Sequence, residues 1–230
     1  MQEISFDLIS DLNLRPNDSF NWENKATSLY CLLTGNVSSN PRTIVQTIAH
    51  LSKIYQGVFY VPGSLEYASS VDPESQIIFL EEILAPIPNV VVLNQHVVII
   101  DGIAIMAANG WDDSVVLPPE VEKFKNSFRN EDLVYLNESI KKIQKHLDVK
   151  KVILLSSSVP NPYLWFGEKD ATDEIPLCAT LSNDTENKVT HWVFGGHTKV
   201  VDIMLDNVNY INNPRVSNSP YWPKRITITV

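Results

Sequence analysis

The sequence predicts an α/β fold in which two mixed β-sheets pack face to face with helices on the outside. Three observations carry this. Short apolar runs recur at Ile4–Ile9, Leu29–Thr34, Val58–Val61, Val152–Leu155 and His191–Phe194, most of them stopped by glycine, serine or asparagine. Stretches with helical spacing separate several of them. Between residues 90 and 107, three short apolar runs split by turn residues read as an antiparallel meander rather than strand–helix units.

Taken in order, Ile4–Ile9 is a strand that stops at Ser10-Asp11-Leu12-Asn13, and Leu29–Thr34 is a second, halted by Gly35-Asn36. Asn40-Pro41 supplies an N-cap and a proline at the first helical position. Ile44, Ile48, Leu51 and Tyr55 then line one helix face. Val58–Val61 is a third strand, ending in Pro62-Gly63-Ser64-Leu65-Glu66. Asp72-Pro73-Glu74 repeats the cap and proline for a helix through Leu84, which Pro86 and Pro88 end. Val90–Leu93, Val97–Ile100 and Ile103–Ala107 form the expected meander. Leu133, Leu136, Ile140, Ile143 and Leu147 place an amphipathic helix over 130–148. Val152–Leu155 leads into Ser156-Ser157-Ser158-Val159-Pro160, and an acidic, polar stretch runs from Gly167 to Asn187. His191–Phe194 breaks into Gly195-Gly196-His197-Thr198-Lys199, and Val200–Leu205, Asn209–Ile211 and Arg225–Thr229 are closing strands. No repeat or linker divides the chain, so one domain is expected over residues 1–230.

With 230 residues, 44% of them hydrophobic and 20% charged, the chain is long enough to bury a substantial core. A net charge of −9 disfavours backbone-led binding to nucleic acid or to an anionic membrane. Cys31 lies inside an apolar strand and Cys178 far from it, which reads as reduced thiols of a cytoplasmic protein. No signal peptide is visible after Met1, and no apolar run is long enough to span a bilayer.

The strand-end loops, set side by side, are Asp11-Leu12-Asn13, Gly35-Asn36, Gly63-Ser64-Leu65-Glu66, Ser156-Ser157 and Gly196-His197-Thr198-Lys199. In this order, and with Asn213-Pro214-Arg215 near the end, the chain resembles the calcineurin-like metallophosphoesterases. Their loops read D-x-H, G-D, G-N-H-[DE], a His after a strand, and G-H-x-H. The resemblance covers nearly the whole chain and implies a four-layer sandwich. It also implies site positions. One metal would take Asp11, Asn13, Asn36 and Lys199, the other Asn36, Ser64, Ser157 and His197, and the family's catalytic histidine falls on Leu65. Only Asp11 and His197 keep the family's residue type.

Those departures predict a loss of chemistry. Two adjacent divalent ions need carboxylates to offset their charge, above all at the bridging position, where Asn36 is neutral. Asn and Ser are weak ligands beside carboxylate and imidazole. A protonated Lys199 has donors and no lone pair, and Leu65 cannot give a proton to a leaving alkoxide. The expectation is therefore a pseudoenzyme, a phosphoesterase fold reused as a binding or structural subunit with a protein partner or a second copy of itself, and with no cofactor. Two alternatives stay open: an enzyme using one weakly held divalent metal, such as manganese, at Asp11 and His197, or a binder of a small phosphate-containing ligand. Lys199 is expected to replace the external cation by pairing with Asp11 and bonding Asn13 and Asn36. Asp112 and Asp113 could add acids to the crevice or form a solvated turn. The serine run offers a nucleophile without an evident histidine–acid partner. His146 and Lys141, Lys142, Lys145, Lys150 and Lys151 form a basic cluster suited to a solvated face or an acidic partner.

Overall fold

The computed structural model describes residues 2–16, 18, 20–68, 72–111, 119–122, 125–160, 164, 188–216 and 219–230. The expected acidic stretch after Gly167, together with Asp112, Asp113 and Cys178, lies outside the described residues.

A first sheet is built from β1 (Glu3–Ser10), β2 (Tyr30–Thr34), β3 (Gly57–Val61), β4 (Val90–Val92) and β11 (Lys224–Thr229), in the order β11-β1-β2-β3-β4. All neighbours are parallel except β11, which runs antiparallel to β1. A second sheet, ordered β5-β6-β7-β8-β10-β9, contains β5 (Val97–Ile100), β6 (Ile103–Ala108), β7 (Lys151–Ser156), β8 (Val189–Phe194), β9 (Asp202–Leu205) and β10 (Val208–Ile211). Its centre is parallel, and its two edge strands are antiparallel.

Three apolar clusters stack these layers. Phe6, Leu8, Leu32 and Phe59 of the first sheet meet Ile105, Ile153, Leu155 and Val193 of the second. On the outer face of the first sheet, Ile9, Leu33, Val58 and Tyr60 pack under α1 (Pro41–Ser52) and α3 (Pro73–Leu84). On the outer face of the second, Met106, Val152, Leu154 and Trp192 pack under Leu136, Ile140 and Ile143 of α5 (Lys125–Gln144). Central strands are thus covered on both sides, which is why they read as continuous apolar runs. Two short helices, α2 (Ser64–Tyr67) and α4 (Pro119–Glu122), complete the elements.

The helix starts form as their residues dictate. Asn40 Oδ1 accepts the Thr43 N–H at 3.1 Å, and Asp72 accepts the N–H groups of Glu74 and Ser75. The expected face of α1 is buried through Ile44, Ile48 and Leu51, and Tyr55, just past the end of the helix, is buried as well.

Two expectations need correction. The meander is only a hairpin: β5 and β6 pair antiparallel around Asp101-Gly102, while β4 lies parallel to β3 in the other sheet. An apolar triplet carries no record of which sheet it will join. The long helix spans Lys125–Gln144 rather than 130–148, and Leu147 is 85% exposed. The chain leaves the helix through turns at Lys145 and His146 and buries Val149 instead.

The sheets touch backbone to backbone where β2 and β8 end. A Cβ at Gly195 would lie 2.4 Å from the Thr34 carbonyl oxygen and 3.2 Å from that of Ser157. Gly195→Ala should therefore lower the melting temperature by roughly 5 °C or more, because backbone on both sides resists the added methyl. An unchanged thermal melt would refute this close approach.

Candidate site at the strand ends

The loops after β1, β2, β3, β7 and β8 converge at one end of the sandwich. Asp11, Asn13, Gly35 and Asn36 all adopt left-handed backbone, with φ of 49°, 48°, 65° and 53°. Asn and Asp tolerate this region better than other side chains with a Cβ. The turns let the first two loops lie side by side: Asp11 N–H donates to Gly35 O at 3.3 Å and Asn13 N–H to Asn36 O at 2.8 Å. Asn13 also donates its side-chain amide back to Asp11 O at 2.9 Å.

Asn36 sits at the centre. Its Nδ2 donates to Asp11 Oδ1 at 2.8 Å, while its Oδ1 accepts from Ser64 Oγ at 3.0 Å and from Leu65 N–H at 3.1 Å. The amide orientation follows from its partners, since a flip would set oxygen against carboxylate and nitrogen against two donors. Asp11 Oδ1 takes a second hydrogen bond from Gly196 N–H at 2.9 Å, tying in the loop after β8.

Beneath this lies Glu66, only 1% exposed. Its Oε1 accepts from the N–H groups of Val37 (2.6 Å) and Ser38 (3.3 Å), and its Oε2 from those of Gly63 (2.7 Å) and Asn36 (3.0 Å). One carboxylate thereby clamps the loop after β2 to the loop after β3. Burial pushes its pKa up to about 7, against the pull of the donating N–H groups.

The serines and the histidine are tied to backbone. Ser157 and Ser158 donate to Asn109 O at 3.0 and 2.8 Å, and Ser156 Oγ donates to Ser158 O at 2.7 Å and accepts from Trp192 Nε1 at 3.1 Å. All three are buried hydroxyls that join β7 to its neighbours, which is a structural task rather than that of a nucleophile. His197, 6% exposed, places Nδ1 at 3.0 Å from Lys199 O and 3.1 Å from Lys199 N. Lys199 itself is exposed. Asp11 Oδ1 accepts from the Asn36 amide and from the Gly196 N–H, so a neutral amide takes part in crosslinking these loops. Ser64 and Leu65 are half-buried at the start of α2, and Asn13 is exposed.

No protein-family model matches the sequence, and no curated protein matches it. Solved structures do match the fold. A phosphopantetheinyl hydrolase from Mycobacterium tuberculosis shares 13% identity over 97% of this chain and 96% of that one, with a TM-score of 0.69. A Staphylococcus aureus structure described as a 5'-nucleotidase, in complex with alpha-ketoglutarate, shares 11% identity over 99% of this chain and 51% of that one, with a TM-score of 0.55. The fold is metallophosphoesterase-like. At these identities the likeness establishes architecture alone.

Asn36 points an N–H donor at Asp11 and has its oxygen occupied by two donors. Among the described residues, no group of three or more His, Cys, Asp or Glu side chains is gathered to hold a metal.

Glu66 and Asn109 were not singled out by sequence reasoning. Glu66 had a signal, since it closes the loop after a buried strand three residues beyond Gly63, where its carboxylate can reach back to free N–H groups. Asn109 had none. Asn213-Pro214-Arg215, noted only as a resemblance, proves to be a strap: Asn213 and Arg215 bond the backbone of Ser10, and Arg215 donates to Leu12 O at 2.9 Å.

Glu66→Ala should strand four buried N–H groups and cost about 3 kcal/mol or more, seen as a melting temperature lowered by roughly 10 °C. A shift no larger than that of Leu65→Ala would contradict the clamp. The pH dependence has a definite sign. Glu66 is raised from 4.5 to about 7 and Asp132 from 3.8 to about 6, both by burial, so the folded state holds protons that the unfolded chain has released. Their contribution is full below the unfolded values and is lost as pH rises through the folded ones. Denaturant midpoints should accordingly fall between about pH 4.5 and about pH 7 and then level off. A midpoint rising across that interval would count against these assignments.

Proposed function

We propose that this chain uses a metallophosphoesterase-like fold without two-metal hydrolysis and serves as a binding or structural subunit, with a protein partner or a second copy of itself. One contact supports the reading most directly: the Asn36 amide donating to Asp11 Oδ1 at 2.8 Å. Metal-dependent hydrolysis needs anionic ligands that hold two cations near substrate oxygens and generate a nucleophile from water. Here the bridging position supplies no charge and already crosslinks the loops. Leu65, where the resemblance expects the proton donor, is an aliphatic side chain. The Gly196 N–H, which would suit a bound phosphate, is turned onto Asp11 instead.

The test uses the full purified chain. Manganese should neither raise its melting temperature nor produce hydrolysis of bis(p-nitrophenyl) phosphate or p-nitrophenyl phosphate. A manganese-dependent activity that disappears in Asp11→Ala would overturn the proposal in favour of the single-metal enzyme. Stabilisation by inorganic phosphate without turnover would favour the anion binder.

A further inference from the structure

Beside the strand-end crevice, between α3, the end of β6 and α5, lies a cavity of about 200 Å³. Three aromatic rings form one side of it. Tyr67 and Trp111 have centroids 4.8 Å apart at 52°, and Trp111 and Phe128 are 5.4 Å apart at 39°. Three carboxylates share the lining: Asp132, 3% exposed, and the exposed Glu74 and Glu131. Among the described residues, no lysine, arginine or histidine lines it. Arg129, on the same helix, directs Nε and Nη2 at the Trp111 carbonyl (3.0 and 2.7 Å), and Lys125 bonds Glu122.

Asn109 adds an independent observation. It lines the cavity, is 6% exposed, and its Nδ2 donates to Tyr67 Oη at 3.0 Å, which sets the amide head at the wall. Its Oδ1 is buried and accepts no hydrogen bond. A buried carbonyl oxygen without a donor is uncommon and calls for one. Asp132 accepts from two neutral donors, Gly110 N–H at 3.0 Å and Gln95 Nε2 at 3.2 Å, and burial raises its pKa to about 6.

We propose that this cavity binds a small primary ammonium ligand with a short apolar body. The ammonium would sit among the rings and beside Asp132, giving N–H donors to the carboxylate and to Asn109 Oδ1, with Glu74 and Glu131 attracting it at the rim. Aromatic faces and unpaired carboxylates both favour a cation there. The volume, equal to about six or seven waters, admits a short alkylammonium. The proposal goes beyond the subunit reading above and does not depend on it, because the cavity's charge and shape are the same whether or not the crevice holds a metal.

Calorimetric titration of the full chain with butylammonium chloride, butanol and tetramethylammonium chloride tests it. Butylammonium should bind saturably and at least about tenfold more tightly than butanol. It should also bind more tightly than tetramethylammonium, which has no N–H. Asp132→Asn should weaken it about tenfold or more, and so, to a smaller extent, should the double variant Glu74→Gln/Glu131→Gln, whose exposed positions leave folding intact. Equal binding of butylammonium and butanol, tighter binding of tetramethylammonium, or full affinity in the double variant would each overturn the proposal. Failure here leaves the metal and hydrolysis assays unaffected, so the two proposals stand or fall separately.

Discussion

The strand-end architecture depends on the Glu66 carboxylate. Loops at the ends of parallel strands present N–H groups with no strand partner, and here four of them, on Asn36, Val37, Ser38 and Gly63, turn inward onto one side chain. Leaving any of them buried without an acceptor would cost about 1–3 kcal/mol. With the acceptor in place, Asn36 is held in left-handed backbone, where its amide reaches Asp11 on one side and Ser64 and Leu65 on the other. Asp11 in turn holds Gly196. Glu66, Asn36 and Asp11 thus form a relay joining the loops after β1, β2, β3 and β8.

At this end of the fold a neutral amide, Asn36, sits between Asp11 and the Ser64–Leu65 loop. An amide suits the task because it donates and accepts at once. A carboxylate at Asn36 would face Asp11 as a like charge and would require a cation or a proton to settle. The neutral residue removes that requirement.

Buried acids elsewhere follow a similar rule. Asp7, fully buried on β1, accepts from Thr27 N–H and from the hydroxyls of Thr27 and Tyr55, and Tyr55 in turn accepts from Trp22 Nε1. Asp132 accepts from Gly110 and Gln95. Like Glu66, these carboxylates are held by neutral N–H and O–H donors, which satisfy their lone pairs without cancelling their charge. Among the described residues, the lining of the aromatic cavity carries Glu74, Glu131 and Asp132 and no base.

By itself the sequence determined what acts over short distances. Apolar runs marked the buried strands, and Asn40-Pro41 and Asp72-Pro73 marked helix starts, because caps and periodicity are properties of neighbouring residues. It also determined side-chain chemistry that placement does not change: Asn36 carries no charge, Leu65 no dissociable proton and Ser64 no imidazole. Tertiary structure decided what long-range contacts decide. It assigned Val90–Val92 to the first sheet, left Leu147 in solvent and Lys199 exposed, and set the Asn36 amide against Asp11. It alone set Glu66 against amides up to thirty residues away and brought Tyr67, Asn109, Trp111 and Asp132 around one cavity. Hydrogen bonds and ring contacts between residues so far apart leave no periodic trace, since any polar residue on a loop can make them once the sheets have fixed where that loop lies.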